Sequence, residues 1–272
     1  ACPQAPSSGP AASSSTGPAP GGLNLGIHCS DDPDAAHENR RRVEATIGQP
    51  ISWLKQVHGI RVLDLDETHP DADAPQGTNR HVLSREPQTH AQGTSASADM
   101  IPATDFPVPE PEADAQITTR PGIALAVQVA DCLPVLLADR QGRVIGAAHA
   151  GWRGLCDGVL EQTVAKFQCP HEDILAWFGP AIGPTAFQVG QEVIDQFVAQ
   201  DPQATSAFIA DPKAKDKFLG NLYQIATQRL NTLGITQISG GEYCTYLEAD
   251  KFFSYRRENV TGRMASVVWI NE

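Results

Sequence analysis

The stretch Ile123-Ala124-Leu125-Ala126-Val127-Gln128-Val129 limits the possible folds more than any other part of the chain. Branched apolar side chains alternate with alanines and one glutamine rather than with charges, so neither face suits water. Such a strand lies inside a sheet with a packed layer on each side. Two more strands are predicted over 133–138 and 144–148, joined as a hairpin by Asp139-Arg140-Gln141-Gly142, a polar turn ending in glycine. Apolar residues at 155, 156, 159, 160, 164 and 167 have helical spacing. Further helices are predicted over 191–198 and 221–233, the second capped by Gly234, and further strands over 174–178 and 265–270. These elements interleave without a regular βαβ period or an internal repeat, which favours α+β with mixed sheets over a doubly wound fold.

Upstream the composition changes. Of the 21 prolines, 14 stand at or before Pro111, and residues 1–22 are almost wholly Ala, Pro, Ser and Gly. Such a segment buries too little to order itself and is expected to be disordered or irregular. A second biased stretch, about 66–113, is rich in Pro, Asp, Thr, Ser and His and reads as an insertion, either disordered or a mobile lid. Between the two, a helix is expected over 34–47, capped by Asp32 or Asp34, then a strand pair, 51–57 and 61–65, turned at His58-Gly59. Residues 23–272 are thus read as one domain carrying the insertion. The chain opens on Ala1 rather than Met, which reads as a fragment or a processed product.

A chain of 272 residues can bury a sizeable core and shape a pocket without a disulfide framework. Twenty Lys and Arg against 32 Asp and Glu give a net charge of -12, so nucleic acid is not an expected partner. No apolar run approaches the roughly 18–20 residues that span a bilayer, and no basic-then-apolar leader is seen, so neither membrane association nor export is expected. The six cysteines are scattered without close pairing, which favours a reducing, cytoplasmic location. Cys29, Cys156, Cys169 and Cys244 are read as packing residues. No P-loop or dinucleotide fingerprint is present, so ATP and NAD are not implied.

Centring the hairpin turn on Arg140-Gln141 pairs Asp139 with Gly142 and Cys132 with His149. Directly opposed side chains stand about 4.5–5.5 Å apart at Cβ, a span that one zinc ion bridges with bonds of about 2.0–2.3 Å. A thiol and an imidazole so placed admit three readings. One is a packed cysteine beside a hydrogen-bonded histidine. Another is a nucleophile, with His149 lowering the Cys132 pKa for attack on a carbonyl. The third is a metal site completed by another ligand. Spacing does not choose that ligand, although His58, ending a strand before a glycine, is the best placed; its plainer role is a satisfied strand-end histidine.

Several segments carry a resemblance. Asn24-Leu25-Gly26, Gln56-Val57-His58-Gly59, Ala130-Asp131-Cys132-Leu133-Pro134-Val135, His149-Ala150-Gly151-Trp152-Arg153-Gly154, Gly179-Pro180-Ala181-Ile182-Gly183-Pro184 and Phe253-Ser254-Tyr255-Arg256-Arg257 resemble signatures of the YfiH-like family. That family is also called laccase-domain or multicopper polyphenol oxidase proteins, and more recently purine nucleoside phosphorylases. The resemblance covers about residues 23–65 and 114–271. It implies a single α+β domain with mixed sheets flanked by helices, and a zinc ion held by His58, Cys132 and His149. It also implies phosphorolysis of adenosine, inosine, guanosine and methylthioadenosine, and hydrolytic deamination of adenosine, so that a purine nucleoside and phosphate are the partners. Phenol oxidation with copper and a role in peptidoglycan editing are other activities it brings. Within it, Asp131 is expected to orient a ligand or move a proton, its plainer role being a strand-end cap. Asn24, Asn39, Arg40 and Arg42 are expected to contact ribose or phosphate, the arginines otherwise being helix-surface charge. Trp152 and Arg153 are read as shaping the turn rather than touching substrate, and for Tyr255 and Arg256 a structural role stands level with a functional one.

Chemistry ranks these activities. A laccase needs a blue-copper centre and a three-copper cluster, which consume more imidazoles than the eight histidines present, and His69, His81 and His90 fall in the insertion. A multicopper site is nearly excluded, whereas a single His/His/Cys set still accepts Cu(II). Zinc with an open position can activate water for attack at purine C6, although the cytidine-deaminase signature is absent. The leading expectation is therefore a zinc-dependent purine nucleoside phosphorylase with adenosine deaminase activity. The alternatives are a copper-dependent polyphenol oxidase and a Cys132/His149 hydrolase acting in peptidoglycan editing.

Overall fold

The computed structural model describes residues 22–29, 32–68 and 109–271, so the irregular start expected over 1–22 and most of the Pro-rich insertion, with His69, His81 and His90, lie outside the described residues. Helix α1 (Pro33–Ile47) begins where Asp32 accepts the Asp34 N–H and Pro33 presets φ, and it stops at Gly48, whose φ is 78°. The chain then runs through β1 (Ile51–Ser52), β2 (Val62–Asp64), α2 (Leu65–Thr68), β3 (Ala115–Thr118), β4 (Ala124–Val129), β5 (Leu133–Asp139) and β6 (Ile145–Ala150). Next come α3 (Trp152–Asp157), α4 (Val159–Val164), β7 (Ile174–Phe178), β8 (Gln188–Val189) and α5 (Gln191–Gln200). The remainder is β9 (Phe208–Ala210), β10 (Phe218–Gly220), α6 (Leu222–Thr232), β11 (Gln237–Gly240), α7 (Tyr255–Glu258) and β12 (Met264–Trp269).

Two sheets carry the core. Six strands in the order β11-β7-β5-β6-β3-β2 are antiparallel in the middle and parallel at both ends. In the other, β4 lies between β1, its parallel neighbour, and β12, its antiparallel one. Strands β8, β10 and β9 form a small antiparallel sheet.

The period-two alternation of the strands sorts the layers. On β5, Leu133, Val135 and Leu137 pack with Leu155, Val159 and Leu160 of α3 and α4 and with Leu222, Ile225 and Leu230 of α6. The opposite face, Leu136 and Ala138 with Ile145 and Ala147 of β6, meets Leu125 and Val127 of β4. Beyond, β4 turns Ala124 and Ala126 toward Ile51, Trp53 and the α1 residues Val43 and Ile47. The order is helix, three-stranded sheet, six-stranded sheet, helices. Both β4 and β6 are covered on each face, which is why they are built from alanine, glycine and branched residues. The chain is α+β, one domain with mixed sheets and flanking helices. No helix of the described residues is long and apolar enough to cross a membrane.

Three local expectations need correction. The β5–β6 hairpin does not turn on two residues: Asp139 N bonds Val144 O at 3.0 Å, leaving a four-residue loop. The Asp139 carboxylate builds that loop by accepting the backbone N and Nε of Arg143, each at 2.7 Å, while Gly142 takes φ 69°. Pro134 therefore pairs with His149, and Cys132 lies diagonal to His149 on the same face rather than opposite it. The segments 51–57 and 61–65 do not pair either: β1 joins β4 and β2 joins β3, in different sheets. Leu54, 1% exposed, inserts into the core between those sheets, and the N–H groups of Val57, His58 and Gly59 go to a carboxylate instead of a strand. Finally, the helical spacing over 155–167 holds two helices, broken at Gly158 with φ 102°. The apolar stripe survives the break, since Leu155, Val159, Leu160 and Val164 all remain buried.

Candidate metal centre

Cys132 stands just before β5 and His149 near the end of β6, at the open end of the hairpin and on the face turned to β4. His58 arrives from the connection between β1 and β2. The Gln56 side chain fastens that connection to β4 in place of a neighbouring strand: Nε2 donates to Gln128 O at 2.8 Å, and Oε1 accepts Gln128 N at 2.7 Å. His58 itself holds φ 63°. Its Nε2 lies 3.7 Å from Cys132 Sγ, and its ring meets that of His149 at 76° with centroids 4.8 Å apart. The ligand atoms of His58, Cys132 and His149 all fall within 4.8 Å of one another, and this is the one such group among the described residues.

The lining fits a metal ion. A β-carbon on Gly151 would sit 2.9 Å from His58 Cδ2, 3.1 Å from Cys132 Sγ and 3.4 Å from His149 Cε1. Gly151 has φ -59° and ψ 154°, a conformation open to any residue, so glycine is needed there for space and not for backbone freedom. Two imidazoles and a thiolate suit zinc and also accept copper. His149 is buried and His58 exposed, so the donor set opens to solvent on the His58 side.

A residue that the sequence reading did not single out completes the arrangement. Asp114, fully buried, accepts the backbone N–H of Val57, His58 and Gly59 and lies 2.9 Å from His149 Nδ1. Burial raises the Asp114 carboxyl pKa, but His149 and the N–H donors outweigh it and hold the group below the usual carboxylate range. Burial likewise pushes the Cys132 thiol up, yet the facing His149 and His58 bring it down to about 6. His149 is raised to about 9: burial disfavours its charge, while the Cys132 thiolate and Asp114 favour it. In metal-free protein these contacts favour the thiolate and imidazolium form of the pair. Alkylation of Cys132 by iodoacetamide, followed by peptide mass analysis, is then expected to rise through about pH 6 and to be flat at neutral pH. A midpoint at the ordinary thiol value of about 8.5 would contradict this electrostatic reading.

Asp131 braces Cys132 from behind. It holds φ 93°, a strained conformation for a non-glycine residue. Its Oδ1 accepts the Thr245 hydroxyl at 2.6 Å and its Oδ2 the Arg256 N–H at 2.6 Å, while its carbonyl accepts Ile182 N at 2.9 Å. The Gly179–Pro184 and Phe253–Arg257 motifs thus converge on the residue before the thiol. Arg257 reinforces the same segment through Thr245 O and Phe252 O, both at 2.7 Å.

Asn24, Asn39, Arg40 and Arg42 gather around α1. Asn24 Oδ1 accepts Gly26 N and Arg263 N, and Asn39 donates to Asn24 O. Arg40 is buried, bonds Leu25 O and Glu110, and stacks 4.1 Å over Trp53. Arg42 is exposed and pairs with Glu38. Arg40 connects toward the metal centre: with the Gln128 amide turned to accept from Arg40 Nη2 at 3.1 Å, Gln128 links it to Gln56 and so to the His58 loop.

The profile of the family described as multi-copper polyphenol oxidoreductase laccase matches residues 10–271. The chain belongs to the YfiH-like family. Among YfiH-like relatives, the Escherichia coli (strain K12) protein named purine nucleoside phosphorylase YfiH is 46% identical over 250 residues, 91% of this chain and 86% of that protein. A Haemophilus influenzae relative named purine nucleoside phosphorylase is 47% identical over 249 residues, again 91% and 86%. The crystal structure of a YfiH-like protein of Neisseria meningitidis superposes with TM-score 0.75 at 38% identity, covering 92% of this chain and 87% of that one. YlmD from Geobacillus stearothermophilus gives 0.71 at 26% identity, covering 92% and 85%. YfiH-like proteins form an enzyme family, and the α+β fold is common to these structures and this chain.

Proposed function

We propose that the chain is a zinc-dependent purine nucleoside phosphorylase acting on adenosine, inosine, guanosine and methylthioadenosine, with adenosine deaminase activity at the same site. The main support is that relatives 46% and 47% identical over 91% of the chain carry the name purine nucleoside phosphorylase. The clustered donors of His58, Cys132 and His149 support the metal dependence. These three residues would hold the ion, which when bound supplies a Lewis acid and lowers the pKa of water. By placing Nδ1 against Asp114, His149 turns Nε2 to the Cys132 side of the site. Cys132 supplies a thiolate held by the Asp131 brace, and Gly151 leaves the volume the reacting groups need. For phosphate and ribose we propose Arg40 with Asn24, Asn39 and Arg42. The Arg40 guanidinium is held by Glu110, so an anion that binds there displaces that carboxylate.

Two other readings have observations of their own. The family description and the affinity of a His/His/Cys set for Cu(II) favour a copper-loaded phenol oxidase. The series Cys132, His149, Asp114 has the order of a thiol hydrolase, a class that would suit a role in peptidoglycan editing.

Chromatography of products from metal-assayed protein and adenosine, with and without phosphate, separates them. The expected result is adenine released only with phosphate, some inosine formed without it, and neither product from Cys132→Ala. Zinc-loaded protein that is inert toward adenosine, while its copper form oxidises phenols, would replace the phosphorylase by the oxidase. Activity that survives metal removal and is killed by alkylation would make it a thiol hydrolase.

A further inference from the structure

We propose that Asp114 is the positioning residue of this centre, one carboxylate that sets both histidines at once. The proposal rests on reading His58, Cys132 and His149 as metal ligands. Oδ1 of Asp114 accepts His58 N at 2.8 Å and faces His149 Nδ1 at 2.9 Å; Oδ2 accepts Gly59 N at 2.7 Å and Val57 N at 3.2 Å. Three successive N–H groups converge on one anion because the middle residue, His58, takes the left-handed conformation at φ 63°. Such a conformation is strained for a non-glycine residue and persists only where its surroundings hold it. The carboxylate is what holds it, and the backbone angle in turn directs the His58 side chain toward Cys132.

The same oxygen orients the other histidine. A carboxylate accepts and does not donate, so His149 presents Nδ1–H to it and leaves Nε2 for a ligand bond. The backbone of Asp114 is anchored on both sides, its N–H to Arg61 O at 3.0 Å and its carbonyl to His149 N at 2.7 Å. The carboxylate therefore cannot follow one histidine without the other. His58 comes from the β1–β2 connection and His149 from β6, far apart in sequence, and among the described residues Asp114 is the side chain that bonds both.

Asp114→Asn keeps the shape but offers one acceptor oxygen and turns an NH2 toward donors. In wild-type protein and the variant, zinc affinity is measured by competition with a chromogenic chelator, the visible spectrum is recorded after cobalt loading, and folding is checked by circular dichroism. The variant is expected to bind zinc about 10–100-fold more weakly, the usual cost of losing an outer partner of a ligating histidine, and to show an altered cobalt spectrum. If the variant does not fold, nitrogen-15 NMR of cadmium-loaded wild-type protein provides the test. It should show metal coupling at His149 Nε2 and a proton on Nδ1. Unchanged zinc affinity and cobalt spectrum in folded Asp114→Asn, or coupling through Nδ1, would overturn the proposal. Wild-type protein that binds no zinc would instead remove the metal reading and the proposal with it.

Discussion

Gly151→Val is expected to empty the metal centre while leaving the fold in place. A valine at this position adds atoms where a β-carbon alone already meets His58 Cδ2 at 2.9 Å and Cys132 Sγ at 3.1 Å. His149 cannot retreat, because it is buried and bonded to Asp114. The displaced groups are therefore His58 and Cys132, and the donor set is lost. The backbone at Gly151 imposes no penalty on valine, so circular dichroism should stay close to wild type and the unfolding midpoint should match that of metal-free wild-type protein. Metal analysis should find little zinc, and turnover should fall by about 10³-fold or more, equivalent to about 4 kcal/mol in the barrier. Gly151→Ala should lie between the two. A valine variant with full zinc occupancy would mean that the metal sits elsewhere.

Stripping the metal with a chelator is expected to abolish turnover without unfolding the chain. None of His58, Cys132 and His149 belongs to the three hydrophobic clusters that hold the sheets and helices together. The far-ultraviolet spectrum should therefore survive. The thermal midpoint should drop, because an ion that binds only the native state stabilises it by about 4 kcal/mol at a thousandfold excess over its dissociation constant. Re-addition of zinc should restore phosphorolysis. Copper should restore metal content and bring phenol oxidation in its place. Full turnover in the stripped protein would rule out the metal-dependent reading and leave the Cys132–His149–Asp114 series as the working chemistry.

How far the centre could be read in advance differs from residue to residue. Cys132 and His149 were legible as neighbours, because a polar Gly-ended turn between two apolar runs signals a hairpin. Their register was not. The Asp139 side chain captures Arg143 and lengthens the loop, so the pair is diagonal; both remain on one face because the loop grew by an even number of residues. His58 was visible as a candidate beside a glycine and as a family ligand, but its route to the site, through Gln56 gripping Gln128, has no local pattern. Asp114 marked only where the globular sequence resumes. Its bonds to His58 and His149 span 56 and 35 residues, distances over which periodicity says nothing.

The alternation of β4, the stripe of buried residues through α3 and α4 and the start of α1 beside Asp32 and Asp34 were fixed locally, because backbone geometry repeats every two or 3.6 residues and the side chains mark its faces. Which strands become neighbours is another matter. β1 and β2 read as a hairpin from their spacing, yet each joins a different sheet, with Leu54 buried between the layers and the N–H groups of Val57, His58 and Gly59 taken by Asp114. The convergence of His58, Cys132, His149 and Asp114 follows from that layer packing: a charged or polar group is placed by whichever buried partners satisfy it, and those partners are set by how the layers close.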